Sequence, residues 1–380
     1  MANLNLNGNV SKNEETLHLA FNDLITFGKL FSPQDFLASA TPDFHVNVGK
    51  LLLNPTKQQL ALVLPRDHAK STLAATAILH KLLFATKETP EFIAWIGEAQ
   101  DQAVDNIGWI QNHIYSNPAV HYYFGDLEGD KWTKNEFTLK NGSRMIGKGT
   151  SQRLRGKKQN STRYTGIILD DFESELNTKT PDSRRQIKEW VTAAVYPAID
   201  FDKKGFLWCN GTIVHYDSFL NGLVTKDAEC KKTGEQFAWE VFTRKALEDG
   251  EPIWPSRWPI KKLEERKQFY IDSGTPAKFY QEYMNQAKSP EDQIFSEEDI
   301  NNAQYKGYAR FDDEYNSWYI KLDDGRKEFV NIYIGVDPAS TVGTRNDYSV
   351  IMVIGVTDSY DYYVIEYWRK RVLPMDCADK

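Results

Sequence analysis

The sequence predicts an α/β fold whose mostly parallel sheet is covered by helices on both faces. The main observation is that short apolar runs, typical of buried strands, alternate with longer helix-like stretches. The apolar runs lie at 60–64, 92–96, 167–169 and 206–209, and the helix-like stretches at 71–84, 100–114 and 183–195. A second observation is that the pattern changes late in the chain, where apolar runs at 330–336, 349–356 and 362–367 follow one another without helices. Such a series predicts the antiparallel start of a second sheet.

The remaining segments predict elements around these two sheets. Apolar residues spaced at helical intervals from Leu17 to Leu30 predict one amphipathic helix over 17–40. The segment 137–146 is broken by Asn141-Gly142 and predicts a hairpin. A short helix is predicted at 261–270, while the charged segment 312–327 is typical of turns.

Length and pattern together predict four parts in this 380-residue chain. We expect a disordered N-terminus (1–16), a first α/β domain (17–250), a connector (251–328) and the opening of a second α/β domain (329–380). The chain has no apolar run long enough for a membrane helix and no signal-peptide pattern, so we expect no membrane partner.

The net charge of −7 argues against a protein that simply coats DNA, which would be basic overall. One local basic segment remains a candidate DNA contact, and it contains Arg153, Arg155, Lys157, Lys158 and Arg163. A solvated loop explains the same composition equally well.

A candidate phosphate-binding loop lies between the first predicted strand and its helix, the context that such a loop needs. It comprises Arg66, Asp67, His68, Ala69, Lys70, Ser71 and Thr72. Backbone N–H groups at the helix start would hold phosphates, Lys70 would reach the β- and γ-phosphates, and Ser71 would bind Mg²⁺. Both glycines of the usual loop are missing, because Leu64 and Ala69 occupy their positions. The alternative is an ordinary helix start.

A pair of acids follows the strand at 167–169 and supplies the other half of a nucleotide site. Asp170 fits the role of a Mg²⁺ ligand. Asp171 and Glu173 are both candidates for the acid that activates the attacking water, and the residues leave this choice open. Two adjacent carboxylates repel each other at a buried strand end, which favours a bound cation over a solvated turn.

The order of several short motifs resembles the large terminase subunit of tailed bacteriophages, over roughly residues 43–370. The core motifs are Pro65-Arg66 with Lys70-Ser71-Thr72, Asn141-Gly142-Ser143-Arg144, Leu154-Arg155-Gly156, the run from Ile167 to Glu173, and Asn210-Gly211-Thr212. Phe44-His45, Trp254-Pro255 with Arg257, and Phe279 with the run Gln281 to Gln286 also match in order.

The resemblance implies a P-loop ATPase that uses ATP and Mg²⁺ to package viral double-stranded DNA into a procapsid. It implies a nucleotide-contacting arginine at Arg66, a coupling segment at Asn210, Gly211 and Thr212, and a finger arginine acting on a neighbouring subunit, for which Arg155 is favoured over Arg153. The implied partners are a small terminase subunit, a portal protein and other copies in a ring. The implied location is the host cytoplasm, transiently at the portal vertex and outside the mature virion.

A second candidate site follows the strand at 330–336. Asp337, and Asp347 ten residues later, resemble the opening of an RNase H-like nuclease, in which clustered carboxylates hold two Mg²⁺ or Mn²⁺ ions. An Asp before Pro is also a routine turn starter, and Glu366 is an ordinary strand residue by its position. The family places further acids later in the chain, so we expect them beyond residue 380 and expect these 380 residues to cleave DNA weakly or not at all.

Two other classes of function remain alternatives. One is a different DNA-dependent P-loop ATPase, such as a helicase or repair enzyme, which would have no reason to carry the second site. The other is a nucleic-acid-binding module whose phosphate loop has decayed, as the missing glycines would allow.

Overall fold

The computed structural model describes residues 12–152, 154, 163–287, 303–305, 307–339, 348–370 and 372. The chain forms two compact units, Met1–Gln293 and Ile294–Lys380. None of the helices in these described ranges is both long and apolar enough to cross a membrane.

The first unit surrounds a large sheet with helices. The described helices are α1 (Lys12–Asn22), α2 (Leu24–Phe31), α3 (Pro33–Phe36), α4 (Asp43–Leu53), α5 (Lys70–Phe84), α6 (Gln100–Ser116), α7 (Pro118–Phe124), α8 (Pro181–Trp190), α9 (Phe219–Thr233), α10 (Ile260–Asp272) and α11 (Pro276–Met284). A π-helical turn (Val191–Val195) and 3₁₀ turns (Tyr196–Ala198 and Phe201–Lys203) follow α8.

The sheet of the first unit is mostly parallel, as predicted. Its strands are β1 (Gln59–Val63), β2 (Phe92–Gly97), β3 (Glu128–Thr133), β4 (Glu136–Leu139), β5 (Arg144–Gly149), β6 (Gly166–Asp170), β7 (Phe206–Gly211) and β8 (Glu240–Thr243). They are ordered β3-β4-β5-β2-β6-β7-β1-β8. The pairs from β5 to β8 are parallel, and β3-β4-β5 is an antiparallel edge that includes the predicted hairpin. A small antiparallel pair, β9 (Leu247–Glu248) and β10 (Glu251–Pro252), lies apart from this sheet.

The sheet carries a hydrophobic core on each face, which confirms the predicted helical cover on both sides. Leu60 and Leu62 of β1 join the core that contains α5 and α6. The alternate residues Ala61 and Val63 join the core on the other face, which contains Ile187 of α8. Because successive side chains of a strand point to opposite faces, a continuous apolar run is required in such a strand.

The single helix predicted over 17–40 is wrong, because three short helices occupy this segment. Asp23 ends the first and caps the second, since its carboxylate accepts hydrogen bonds from the backbone N–H of Thr26 (2.7 Å) and from its hydroxyl (2.6 Å). Pro33 then occupies the first turn of α3, where a missing N–H costs nothing, and separates it from α2.

The strand predicted at 206–209 is longer in the structure, because β7 runs through Gly211. Asn210 pairs with Asp170 of β6 on one side and with Leu62 of β1 on the other. Asn210 and Gly211 are therefore strand residues at the carboxyl edge of the sheet and not a plain turn.

The second unit contains an antiparallel sheet of five strands among its described residues. Their order is β11 (Gly307–Asp312), β12 (Ser317–Leu322), β13 (Lys327–Asp337), β14 (Ser349–Val356) and β15 (Tyr362–Lys370). The last three confirm the predicted strands. The first two were missed, because the charged residues that suggested turns lie mainly at the strand ends and connections, at 312–316 and 323–326.

Candidate nucleotide-binding site

The candidate phosphate loop connects β1 to α5 and bends without glycine. Asp67 and Ala69 have φ angles of 60° and 65°, in the left-handed region that glycine adopts most readily. Ala69 is the N-terminal cap residue of α5 and occupies the position of the second missing glycine. An L-residue costs roughly 1–2 kcal/mol in this conformation, so other contacts have to hold the loop in shape.

Aromatic side chains pack around the loop and donate hydrogen bonds to its carbonyl groups. His68 is fully buried and stacks on Trp258, with ring centroids 5.9 Å apart and an interplanar angle of 13°. Three of the loop's carbonyl groups accept hydrogen bonds: that of Arg66 from Nδ1 of His68 (2.8 Å), that of Asp67 from Nε1 of Trp258 (3.3 Å), and that of His68 from Nε2 of His45 (3.2 Å). Burial lowers the pKa of His68 to about 4, so the ring is neutral at pH 7.

The first residues of α5 meet the acids at the end of β6. Lys70 Nζ lies 3.2 Å from Oδ1 of Asp171, with the lysine side chain 9% exposed and the aspartate side chain 48% exposed. The Ser71 hydroxyl donates a hydrogen bond to Oδ1 of Asp170 at 3.1 Å. The sheet thus brings Lys70 and Ser71 of the loop next to Asp170 and Asp171, although the loop residues and the acids are 99 or more positions apart in the sequence.

Asp170 is a buried carboxylate surrounded by polar groups. Its Oδ1 accepts from the side-chain amide of Asn210 (3.3 Å), and its Oδ2 from that of Asn106 on α6 (3.4 Å). Burial, and next the charge of Asp171, raise the pKa of Asp170 to about 7, while Lys70, Ser71 and Asn210 oppose that rise. A cation beside this carboxylate would favour its ionised form.

The oxygen atoms around Asp170 fit a magnesium ion. Ser71 and Asp170 offer a hydroxyl and a carboxylate, and Oδ1 of Asn210 is buried without a hydrogen-bond partner. Mg²⁺ prefers oxygen ligands and commonly takes only one or two carboxylates from the protein, with phosphates and water completing its shell. Among the described residues there is no group of three or more His, Cys, Asp and Glu side chains that could hold a metal by itself.

The two candidate water-activating acids differ in their surroundings. Both oxygens of Glu173 accept hydrogen bonds from the start of α9, from the backbone N–H of Phe219 (2.6 Å) and of Leu220 (3.0 Å). Burial raises the pKa of Glu173, and these two N–H groups oppose that rise. Asp171 is half-exposed beside Lys70, so its geometry suits the catalytic role better.

Lys70, Ser71, Asp171 and Glu173 line one cleft of about 1040 Å³ in the first unit, large enough for a nucleotide. Thr72, Arg66 and Thr212 also line it. Arg66 is held by α11: Nη1 lies 3.3 Å from Oε1 of Glu282, and its backbone N–H donates to the Glu282 carbonyl at 2.7 Å. The Glu282 charge raises the pKa of Arg66.

Gly211 of the candidate coupling segment allows a close approach between β7 and α9. A Cβ atom added there would lie 2.6 Å from Cδ1 of Leu220. Only glycine fits without displacing that side chain. Thr212 is buried directly after the strand, at the wall of the cleft.

Several predicted site residues lie outside the described residues. They are Arg153, Arg155, Lys157 and Lys158 of the basic segment, and Asp347 of the second candidate site. Their roles stay predictions.

In the second unit, Asp337 is an exposed residue at the end of β13, opposite Val350 of β14. Glu366 of β15 lies opposite Val353. Val350 and Val353 are three positions apart on one strand, so Asp337 and Glu366 lie on opposite faces of the sheet. Glu366 therefore does not join Asp337 in one site.

Sequence reasoning missed several residues that hold the site. Asn106 reaches Asp170 from α6, Trp258 reaches the loop from the segment just before α10, and Glu282 reaches it from α11. The run from Gln281 to Gln286 belongs to the motifs that resemble the terminase family, but nothing in its pattern indicates a contact with the loop more than 200 positions earlier.

No family model and no curated protein matches this chain. Similar solved structures exist at low identity. The large terminase of bacteriophage HK97 is 14% identical with a TM-score of 0.46, over 87% of this chain and 63% of its own. A mutant ATPase domain of the Thermus phage P74-26 large terminase is 14% identical with a TM-score of 0.45, and the match covers 64% of this chain and 92% of that domain. The Phi-28 gp11 DNA packaging motor is 11% identical with a TM-score of 0.34, and the match covers 83% of this chain and 77% of that protein. This chain thus spans less than two thirds of the HK97 protein.

Proposed function

We propose that this chain is the ATPase motor of a phage DNA-packaging machine, a large terminase subunit that binds ATP and moves double-stranded DNA into a procapsid. The observation that carries the proposal is the convergence of Lys70, Ser71, Asp170 and Asp171 at the carboxyl edge of the parallel sheet, beside the start of α5. A lysine, a hydroxyl and two carboxylates in this arrangement suit the transfer of a phosphoryl group to water.

We assign each residue of the site a role in this reaction. Lys70 and the N–H groups that begin α5 hold the phosphates, and Ser71 and Asp170 hold Mg²⁺. The ion, when bound, neutralises phosphate charge. Asp171 accepts the proton of the attacking water, while Glu173 keeps the start of α9 in place. Arg66 exchanges Glu282 for the nucleotide, because a phosphate can accept the same paired N–H bonds from a guanidinium as a carboxylate does.

ATP hydrolysis by a Lys70→Ala variant tests the proposal. We expect turnover to fall at least about 100-fold with DNA present, because the variant loses the charge that stabilises the transferred phosphoryl group. Lys140→Ala is the control, since Lys140 pairs with Asp126 on the exposed surface. Unchanged hydrolysis in Lys70→Ala, or no nucleotide binding by the parent protein, would contradict the proposal.

The proposal also includes partner proteins and residues that contact DNA. The motor would work as a homo-oligomeric ring with a small terminase subunit and a portal protein, in the host cytoplasm at the portal vertex. Arg155 or Arg153 would serve as the finger toward a neighbouring ATP site, and Lys157 and Lys158 would contact DNA. Translocation of a duplex without strand separation would favour the motor, and separation of a forked duplex would favour a helicase.

A metal-dependent endonuclease is the second part of the proposal. It is supported by Asp337 at the end of a predicted strand that the structure contains, with Asp347 as the proposed second ligand of Mg²⁺ or Mn²⁺. Cleavage of DNA in the assembled packaging reaction tests it. These 380 residues are expected to cleave DNA weakly or not at all, and Asp337→Asn should abolish even weak cleavage while ATP hydrolysis is retained.

A further inference from the structure

The short helix α11 and the residue that ends it connect three parts of the candidate ATP site. Asn285 follows α11 in the left-handed conformation, with φ 50° and ψ 42°. Its side-chain N–H groups donate to the carbonyl of Val63 at the end of β1 (3.1 Å) and to that of Arg244 directly after β8 (2.8 Å). Its side-chain oxygen accepts from the backbone N–H of Ile213 (3.3 Å).

These contacts connect the two segments that ATP would affect. Val63 lies three residues before Arg66 of the phosphate loop, and Ile213 directly follows Thr212 of the coupling segment. The side-chain carboxamide of Asn285 is therefore hydrogen-bonded both to the strand that leads into the phosphate loop and to the coupling segment. It uses two donors and one acceptor, a combination that neither a carboxylate nor a hydrocarbon side chain can reproduce.

Other residues of the same helix make parallel contacts. Gln281 donates to the carbonyl of Val214 at 3.0 Å, next to Ile213. The carbonyl of Glu282 accepts from the backbone N–H of Arg66, and its carboxylate pairs with the Arg66 guanidinium. The Tyr283 carbonyl accepts from the backbone N–H of Ala246 at 2.8 Å. One face of α11 is thus bonded to the loop, and another to the segment after β7.

We propose that Asn285 and Gln281 are positioning residues that transmit the state of the phosphate loop to the coupling segment. The inference rests on the proposed ATPase function and deepens it. ATP competes with Glu282 for Arg66 and so frees one contact of α11. Asn285 keeps Val63 and Ile213 together during this exchange, so that movement of the loop displaces the coupling segment.

The variant Asn285→Gly tests this role. Glycine keeps the left-handed backbone and removes all three side-chain hydrogen bonds. We expect the Kd of a fluorescent ATP analogue to change by less than about threefold, because the ligands of the phosphates stay in place. DNA-stimulated ATP turnover should fall at least about tenfold.

Asn316→Gly is the matched control. Asn316 is also left-handed, with φ 46°, and is exposed in the connection between β11 and β12 of the second unit. It should leave both the Kd and the stimulated turnover at their parent values.

Two outcomes of the Asn285→Gly measurement overturn the inference. Parent-like stimulated turnover shows that the carboxamide positions nothing. Parallel loss of nucleotide binding and turnover shows a purely structural residue. If Asn285→Gly does not fold, Gln281→Met decides by the same two readouts, since it removes only the bonds from the Gln281 amide to the carbonyls of Val214 and Ala287. Absence of ATP hydrolysis in the parent protein is a different result, because it contradicts the proposed function itself.

Discussion

The two units present the same sequence feature, an acid after an apolar strand, in opposite surroundings. Asp170 ends a parallel strand, is buried, and accepts hydrogen bonds from Ser71, Asn106 and Asn210. Asp337 ends an antiparallel strand and is exposed. The carboxyl ends of parallel strands share one edge, so neighbouring strands and loops deliver polar groups to the same place. Antiparallel neighbours deliver their ends to opposite edges.

The strongest test of this contrast exchanges the two acids for asparagine in turn. Asp170→Asn should reduce ATP turnover at least about 100-fold, since it removes the charge that would bind Mg²⁺. Asp337→Asn should leave turnover unchanged. Steady-state ATP hydrolysis with DNA measures both. Equal effects of the two substitutions would remove the distinction between the sites.

Within the first site, Asp171 and Glu173 can be separated in the same way. Asp171→Asn should reduce turnover by about 10²–10⁴-fold, the usual contribution of a general base. Glu173→Gln should retain most turnover and lose roughly 1 kcal/mol of unfolding free energy, because a weaker acceptor then caps α9. Single-turnover hydrolysis and urea unfolding provide the two readouts. The reverse pattern would assign the water to Glu173.

Acid should destabilise the first unit through its buried histidines. Burial lowers the pKa values of His45, His68 and His80 to about 4, against an ordinary value of 6.5. The unfolded chain then binds more protons between these values, so stability is complete above pH 6.5 and is lost as the pH falls toward 4. Each histidine contributes on the order of 1–2 kcal/mol between pH 7 and pH 5.

Urea unfolding at several pH values measures this loss. His80→Gln should reduce the dependence of the unfolding free energy on pH by about a third, because it removes one of the three buried histidines. His80 lies on α5, away from the aromatic residues that support the loop. A pH-independent midpoint from pH 7 to pH 5 would contradict the assignment of neutral, buried rings.

The smallest expected effect concerns the strained loop. Ala69→Gly should raise the unfolding free energy by up to about 1 kcal/mol, because relief of the left-handed strain exceeds the greater freedom of glycine in the unfolded chain. Ala119→Gly, in the regular helix α7, should lower it by up to about 1 kcal/mol. Thermal unfolding of both variants makes the comparison, and the same sign in both would show that Ala69 is unstrained.

The sequence predicted the parallel sheet because its signal is local: each strand is a continuous apolar run and each helix has its own period. The order of the motifs and the strand ends predicted that the phosphate loop and the acids after β6 belong to one candidate site, but the ion pair of Lys70 with Asp171 was not predicted. The roles of Glu173 and Asn285 could not be predicted, because they depend on where α9 and α11 pack, 40 or more residues away in sequence. The single helix predicted over 17–40 failed because Asp23 and Pro33 fit a helical period but act as a cap and a breaker.

The side-by-side pairing of Asp170 with Asn210 limits where this chain can change its length. A residue inserted within β7 before Asn210 would place Cys209 beside Asp170 and turn the carboxamide to the opposite face of the sheet. A residue inserted in the segment 201–205 would be absorbed before the strand begins. Length variation between these two strands is therefore compatible with the candidate site only in the part of their connection that lies away from Asp171 and Glu173, which also makes that part the place to add a tag or a reporter.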